Sequence, residues 1–515
     1  MKLDFATLKD KMLGCWAGKN AGGVLGAPYE AERDFLNVEF YAQDLSAGPP
    51  PNDDLDLQII WLAAVERHGR NVNAHILGEY WLSYVIPNWV EYGMGKNNMR
   101  AGLVPPLSGY VDNVYKDSCG CFIRSEIWAC LAPGHPELAA RYAYEDAIVD
   151  HAGEGMYGEI FFAAMQSAAF VESNIDTLVD IGLSYIPKES AVARCVHEAQ
   201  KCYKEGTPLR EARKRIHNTA PGTFGAQVRR IRDIKGDNEG FELGAPGFDA
   251  PENVGYTIAG LYYGEGDFGK SLCSAVNCGE DADCTAATLG ALLGIIHGAK
   301  ALPAKWMDPL GDRIATMCID TTSGGIWVPS TATQLADRVL RAIPGFLGAE
   351  LCDIFAEGGY TIQTSDDLYC SVRDYIPSIN GNYVDKRIQI AELCALSPFT
   401  ALYECPIYRV FVDYHEEPFF TEGEERKFTV KVTDKQITRQ QQWVKFKLYT
   451  PDGVAVIGGK ERSLPLNYNN GSKAEATFTV SDVNGFTGGV MELIVDISLV
   501  GRHTSTPIKI VLMRK

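Results

Sequence analysis

Asn52-Asp53-Asp54 and, more than two hundred residues later, Asp281-Ala282-Asp283 are the groups in this sequence best suited to chemistry. Each acidic cluster opens a stretch that reads as a largely apolar, buried helix, where an unpaired carboxylate is costly. Four carboxylates at two such helix starts ask for a compensating charge. Hard divalent cations take oxygen ligands, and Mg²⁺ keeps waters in its shell for a substrate. The competing reading is capping, because acids at helix N-termini complement the dipole. One pair alone reads as caps; two pairs in such apolar contexts favour metal. Without a metal, paired carboxylates could work as general acid and base, but neighbours such as Asp53 and Asp54 seldom point together.

The elements that must position these groups fall into two parts. Residues 1–400 read as mostly helical, with apolar positions three and four apart, or apolar nearly all round, in Leu57–Glu66, Ala74–Tyr84, Tyr157–Val171, Ala191–Lys204 and Thr285–Ala299. Residues 404–515 alternate apolar and polar side chains in short runs such as Tyr408–Tyr414, Trp443–Leu448 and Met491–Leu499, separated by turn formers. That pattern predicts a smaller all-β sandwich of immunoglobulin or fibronectin type, read as an accessory domain. In the helical part Gly14, Gly18, Gly22 and Gly26 recur every four residues, as do Gly290, Gly294 and Gly298. Such a stripe lets a second backbone, or a ligand, approach closely at a cost of about 1 kcal/mol per glycine. Trp16 and Trp61, in apolar helical company, read as core.

Bulk properties bound the function. A chain of 515 residues exceeds one ordinary core, so two domains are expected. Hydrophobic content of 46% with 22% charged residues describes a soluble globular protein. A net charge of −18 argues against nucleic acid or an anionic membrane surface as partner, and leaves room for a small-molecule substrate. Charges scattered through the first twenty residues do not make a secretory signal, and no run of eighteen apolar residues predicts a membrane span. Fourteen cysteines without a zinc-type CxxC array fit reduced thiols and a cytoplasmic location. The oligomeric state has no signature.

Five ordered segments resemble the ADP-ribosylglycohydrolase family, whose members include the dinitrogenase-reductase-activating glycohydrolase. Gly14 through Gly18 and Gly22 through Glu30 are similar to its opening GxxxGDALGxPxE segment, and Asn52-Asp53-Asp54-Leu55 stands at its Thr-Asp-Asp-Thr. Ser118 through Arg124 resembles its substrate loop, and Asp146-Ala147 with Asp150-His151 the segment ending in Thr-His. Ala275 through Ala287 follows the signature AVNxGGDADTxAA. The resemblance spans roughly residues 8–305 and implies an all-α orthogonal helical bundle with a binuclear magnesium site at the base of a cleft. It further implies metal ligation by Asn52, Asp53, Asp54, Asp281, Asp283 and the Cys284 position, catalysis by Glu30, Asp54 and Asp283, and substrate contacts from Cys119, Gly120, Cys121, His151 and Tyr157. His151 reads equally as a packed helix-start residue, and Arg124 equally as a phosphate contact or a structural ion pair.

Departures from the family pattern cluster at this site. Asn52 replaces one threonine and keeps a carbonyl oxygen; Cys284 replaces the other, and a thiol is a poor magnesium ligand. Gly22-Gly23 lacks the usual aspartate and Cys119 replaces the usual asparagine. One metal position is therefore expected to be weakened or lost, leaving one or two Mg²⁺ ions. The implied activity is Mg²⁺-dependent hydrolysis of a glycosidic bond at an anomeric carbon, by default in an ADP-ribosyl compound. Hydrolysis of another N- or O-glycoside, or inert binding of ADP-ribose or a sugar, are the alternatives.

Overall fold

The structure is a computed structural model that describes residues 2–220, 235–236, 242–243, 248–322, 324–372, 375–376, 395–405, 408–434, 442–466, 473–503 and 505–515. Two compact units divide between Ile379 and Asn380.

The opening helix, Phe5–Gly26, starts where Asp4 accepts the Thr7 amide at 2.9 Å. Its glycines would weaken it in isolation. It persists because they let it press against a second helix, Ala282–His297, hereafter the signature helix. A Cβ on Gly18 would run into the Gly290 carbonyl, and one on Gly22 into that of Ala286. The stripe thus brings two backbones together along their length. Gly298 is not part of it: at φ 78° it terminates the signature helix, which ends at His297 rather than at the predicted Ala299.

The helix Asp56–His68 is buried on every side from Asp56 through Val65. Its start is pinned by Asp56, whose Oδ2 accepts the amides of Met317 (2.6 Å) and Cys318. Ala74–Tyr84 and Ala191–Lys204 form as their periodicity predicts, capped by Asn73 and Ser190. Trp16 and Trp61 are fully buried in this core. The helical unit also holds a small antiparallel sheet of Lys2–Leu3, Thr361–Gln363 and Cys352–Asp353, strands too short to leave an alternating signal. No helix among the described residues is long and apolar enough to cross a membrane.

The second unit is all β. Among the described residues, one sheet orders Glu461–Leu466, Gln442–Tyr449, Val490–Leu499, Ser505–Arg514 and Phe419–Phe420; the other orders Ala455–Ile457, Lys473–Ser481, Arg426–Asp434, Tyr408–Asp413 and Thr400–Glu404. Neighbours are antiparallel except Phe419–Phe420, which runs parallel to Ser505–Arg514. Alternate residues, such as Leu493, Val495 and Ile497 from one sheet and Val410, Phe428 and Val430 from the other, meet in a single core.

Candidate active site

One turn with two consecutive residues at positive φ builds a wall of the site. Gly279 (φ 75°) and Glu280 (φ 64°) lie in the left-handed region and swing the chain into the signature helix. Glu280 also pairs with Glu32, through Glu280 N to Glu32 O at 2.7 Å and Ala31 N to Glu280 O at 2.8 Å. This clip carries Glu30 across to the start of the signature helix. Carboxylate oxygens of Glu30, Asp281 and Asp283 consequently lie within 4.8 Å of one another.

The other wall comes from the segment before Asp56. Asn52 Nδ2 donates to Asp283 Oδ2 at 3.0 Å, while its Oδ1 accepts the Asp54 amide at 2.7 Å. Its carbonyl, expected as a metal ligand, is therefore turned into its own loop, and its amide faces the site. The Tyr92 hydroxyl donates to Asp53 Oδ2 at 3.1 Å. Glu30, Asn52, Asp53, Cys119, Gly120, Asp281, Asp283 and Cys284 all line one pocket of about 400 Å³. Asp54 lies buried behind them, its Oδ2 turned toward Gly23 of the opening helix.

Capping does not explain the acids. The helix Asp56–His68 has Leu55 at its N-cap with no side-chain cap, and Asp281, at the N-cap of the signature helix, makes none either. Both oxygens of Asp54, and one each of Asp281 and Asp283, are buried with no hydrogen-bond partner. Such groups are expensive unless neutralised. Burial, then the charge of Asp283, pushes the Asp53 carboxyl up to about 6. Burial, then Asp283 and Asp53, pushes Glu30 at the mouth up to about 7. Burial raises Asp54 and Asp281 well above the ordinary carboxylate range. Mutual repulsion in a dry site is the arrangement a bound cation relieves. The oxygen donors Glu30, Asp53, Asp281 and Asp283 that line the pocket are of the kind a hard divalent cation takes.

Three residues of the predicted set stand apart. Cys121 Sγ donates to the Gly155 carbonyl at 2.9 Å, and His151 is buried between Ser118 Oγ (3.0 Å) and Asp150 (2.9 Å). Neither they nor Tyr157 are among the described residues lining the pocket. Arg124 is fully buried, 3.1 Å from Asp146 and 2.8 Å from Asp150, so it is a structural ion pair and not a phosphate contact.

The sequence reading also missed groups. Trp89, nearly half exposed, lines the mouth and stacks on Tyr92 at 6.4 Å and 22°. Glu91, buried, lines the pocket beside Gly120, where a Cβ would collide with its carboxylate. Lys19 is fully buried, 3.1 Å from Glu126. Burial alone would lower its pKa, but the carboxylates of Glu126 and Asp54 outweigh that and hold it raised. Trp89 and Glu91 lie in a stretch without a recognisable motif, and Lys19 falls between the two halves of the opening glycine segment, where its type alone marks no role.

Residues 4–344, within the helical unit, match the sequence profile of the ADP-ribosylglycohydrolase family. A protein of Archaeoglobus fulgidus, described as uncharacterized, is 24% identical over 331 residues, which cover 59% of this chain and 93% of that protein. Among solved structures, an ADP-ribosylglycohydrolase-related protein complex aligns with 66% of this chain and 100% of its own, at 17% identity and a TM-score of 0.39.

Proposed function

The chain belongs to the ADP-ribosylglycohydrolase family, and from that premise we propose that its helical unit hydrolyses a glycosidic bond at an anomeric carbon, with a divalent cation and by default on an ADP-ribosyl compound. The observation that carries this reading is the convergence of Glu30, Asp53, Asp281 and Asp283 on one pocket, with Asp54 buried behind it and buried carboxylate oxygens left unpartnered. Cleavage at an anomeric carbon passes through an oxocarbenium-like state, which nearby anions stabilise. A bound cation, Mg²⁺ by its oxygen donors, would orient sugar hydroxyls and make a water more acidic.

The chain's own groups divide the remaining work. Asp53 and Asp283 would hold the cation, with Asp54 buried behind them and with Tyr92 and Asn52 fixing the carboxylates of Asp53 and Asp283. Glu30 faces Asp281 and Asp283 from the rim, where it moves a proton between solvent and the attacking water. Trp89 offers an exposed ring to the face of the sugar or its aglycone.

A second reading, hydrolysis of a glycoside without a pyrophosphate, is favoured by the pocket's charge. Its lining among the described residues includes Glu30, Asp53, Glu91, Asp281 and Asp283 and no lysine or arginine. Hydrolysis assays on ADP-ribosyl-arginine, ADP-ribosyl-serine, nucleosides and aryl glycosides separate the two. Asp283→Asn should lower kcat on the best of these by roughly 10²–10⁴-fold while leaving the unfolding midpoint near that of the parent. Full turnover in that variant would end the carboxylate mechanism.

A further inference from the structure

The pocket holds a second donor set whose chemistry differs from that of the oxygen wall. The Cys119 thiol donates to Asp281 Oδ2 at 2.7 Å. Cys119 Sγ, an Asp281 carboxylate oxygen and Cys284 Sγ all lie within 4.8 Å of one another, and all three residues are buried. Asp281 Oδ1 is itself buried with no hydrogen-bond partner, although the residue is only 4% exposed. Two thiols and an unsatisfied carboxylate enclosed together are poor company for Mg²⁺, which wants oxygen in near-octahedral array.

They suit a softer ion. Tetrahedral zinc, with Zn–S of about 2.3 Å and Zn–O of about 2.0 Å, spaces its ligands about 3.5–3.8 Å apart. Seating the three side chains around one ion therefore spreads the 2.7 Å Cys119–Asp281 pair and closes the wider gaps, each by about 1 Å or less. We propose that Cys119, Asp281 and Cys284 form a site for a thiophilic divalent cation, zinc foremost, beside the oxygen set that suits Mg²⁺. On binding, each thiol gives up its proton to solvent as its sulfur bonds to the ion, and Asp281 gives up its own wherever it carries one. Cys284 is then not a decayed magnesium position but, with Cys119, part of a changed metal preference. Both face the pocket, so the fourth ligand position is open to water or substrate.

Cobalt reports on this directly. The whole 515-residue chain, tag-free, reduced and stripped of metal, should develop a sulfur-to-cobalt charge-transfer band with Co²⁺. One equivalent of Zn²⁺ should abolish that band, and excess Mg²⁺ should not. Cys119→Ser and Cys284→Ser should each diminish the band and weaken zinc binding by more than the roughly 10- to 100-fold that outer-shell changes cost. Cys370→Ser, far along the chain and half-buried, should leave it intact. X-ray absorption of the zinc-loaded parent chain needs no variant and should show two sulfur ligands. An oxygen-and-nitrogen-only zinc shell, a cobalt complex without the band, or a band surviving both pocket substitutions would overturn the site. A chain that binds zinc through sulfur yet hydrolyses no glycoside would keep this site and remove the hydrolase reading.

Discussion

Lys19 shows how one side chain holds the acidic site together. It sits one turn before Gly23, whose absent Cβ leaves room for Asp54 Oδ2, and its ammonium is 3.1 Å from Glu126 with both side chains fully buried. Gln58 and Gln166 donate to the two Glu126 oxygens, each at 3.0 Å, and Gln58 also reaches the Asp54 carbonyl at 3.1 Å. Lys19→Met would strand two buried carboxylates, and breaking a buried pair in this way costs about 3–5 kcal/mol. Urea unfolding should register that loss, and adding Glu126→Gln to Lys19→Met should recover part of it. A single-variant cost below about 1 kcal/mol would mean that the ammonium compensates nothing. The aspartates were legible in the sequence because paired acids beside apolar helices are anomalous wherever they fold. Lys19 was not, since one lysine among glycines looks like a solvated position until its neighbours in space are known. Cys119 and Cys284 were legible only as departures from a family pattern. That they share a floor is a tertiary fact, carried by no local periodicity.

At the scale of elements, the site depends on how closely the opening and signature helices approach. Gly18→Ala would push a methyl into the Gly290 carbonyl, backbone against backbone, with no side chain free to yield. Overpacking of this kind costs about 1–3 kcal/mol, and here it should also shift Asp283 in the first turn of the signature helix. Turnover and thermal stability should therefore fall together in Gly18→Ala; unchanged turnover would show that the site tolerates helix displacement. The four-residue spacing made this contact readable beforehand, whereas the clip between Glu32 and Glu280 was invisible, because two isolated left-handed residues carry no pattern. The far end of the signature helix is held by Lys11, whose ammonium donates to the carbonyls of Ile295 (2.8 Å), Ile296 (3.3 Å) and Ala169 (3.1 Å). Burial pulls the Lys11 pKa down from 10.5 to about 8. Between those values the unfolded chain binds the extra proton, so Lys11 contributes stability that rises with pH. Buried thiols act oppositely, Cys278 being pushed up to about 12 by burial, so the readout is a difference. Relative to the parent chain, Lys11→Met should lose ground steadily from about pH 8 to 10.5 in isothermal denaturation. A pH-independent difference would place the Lys11 pKa at its ordinary value.

For the whole molecule, the change from helical to alternating texture was readable because strands such as Val490–Leu499 bury every second residue with one face in the core. The short edge strands Ala455–Ile457 and Phe419–Phe420 were not, being fewer residues than an alternation needs to declare itself. The consequence is two cores, one within residues 1–379 and one in the sheets of the second unit. Separate cores imply separate cooperative transitions, so a single two-state analysis should fail for this chain. Phe446 is fully buried among the strands of the second unit, and Phe446→Ala removes about 3–5 kcal/mol from a core of this kind. Differential scanning calorimetry of that variant should lower one transition and leave the other, together with metal binding and turnover, at parent values. If both transitions moved together, the β unit would be part of what stabilises the acidic pocket, and its role would have to be sought there and not in a partner.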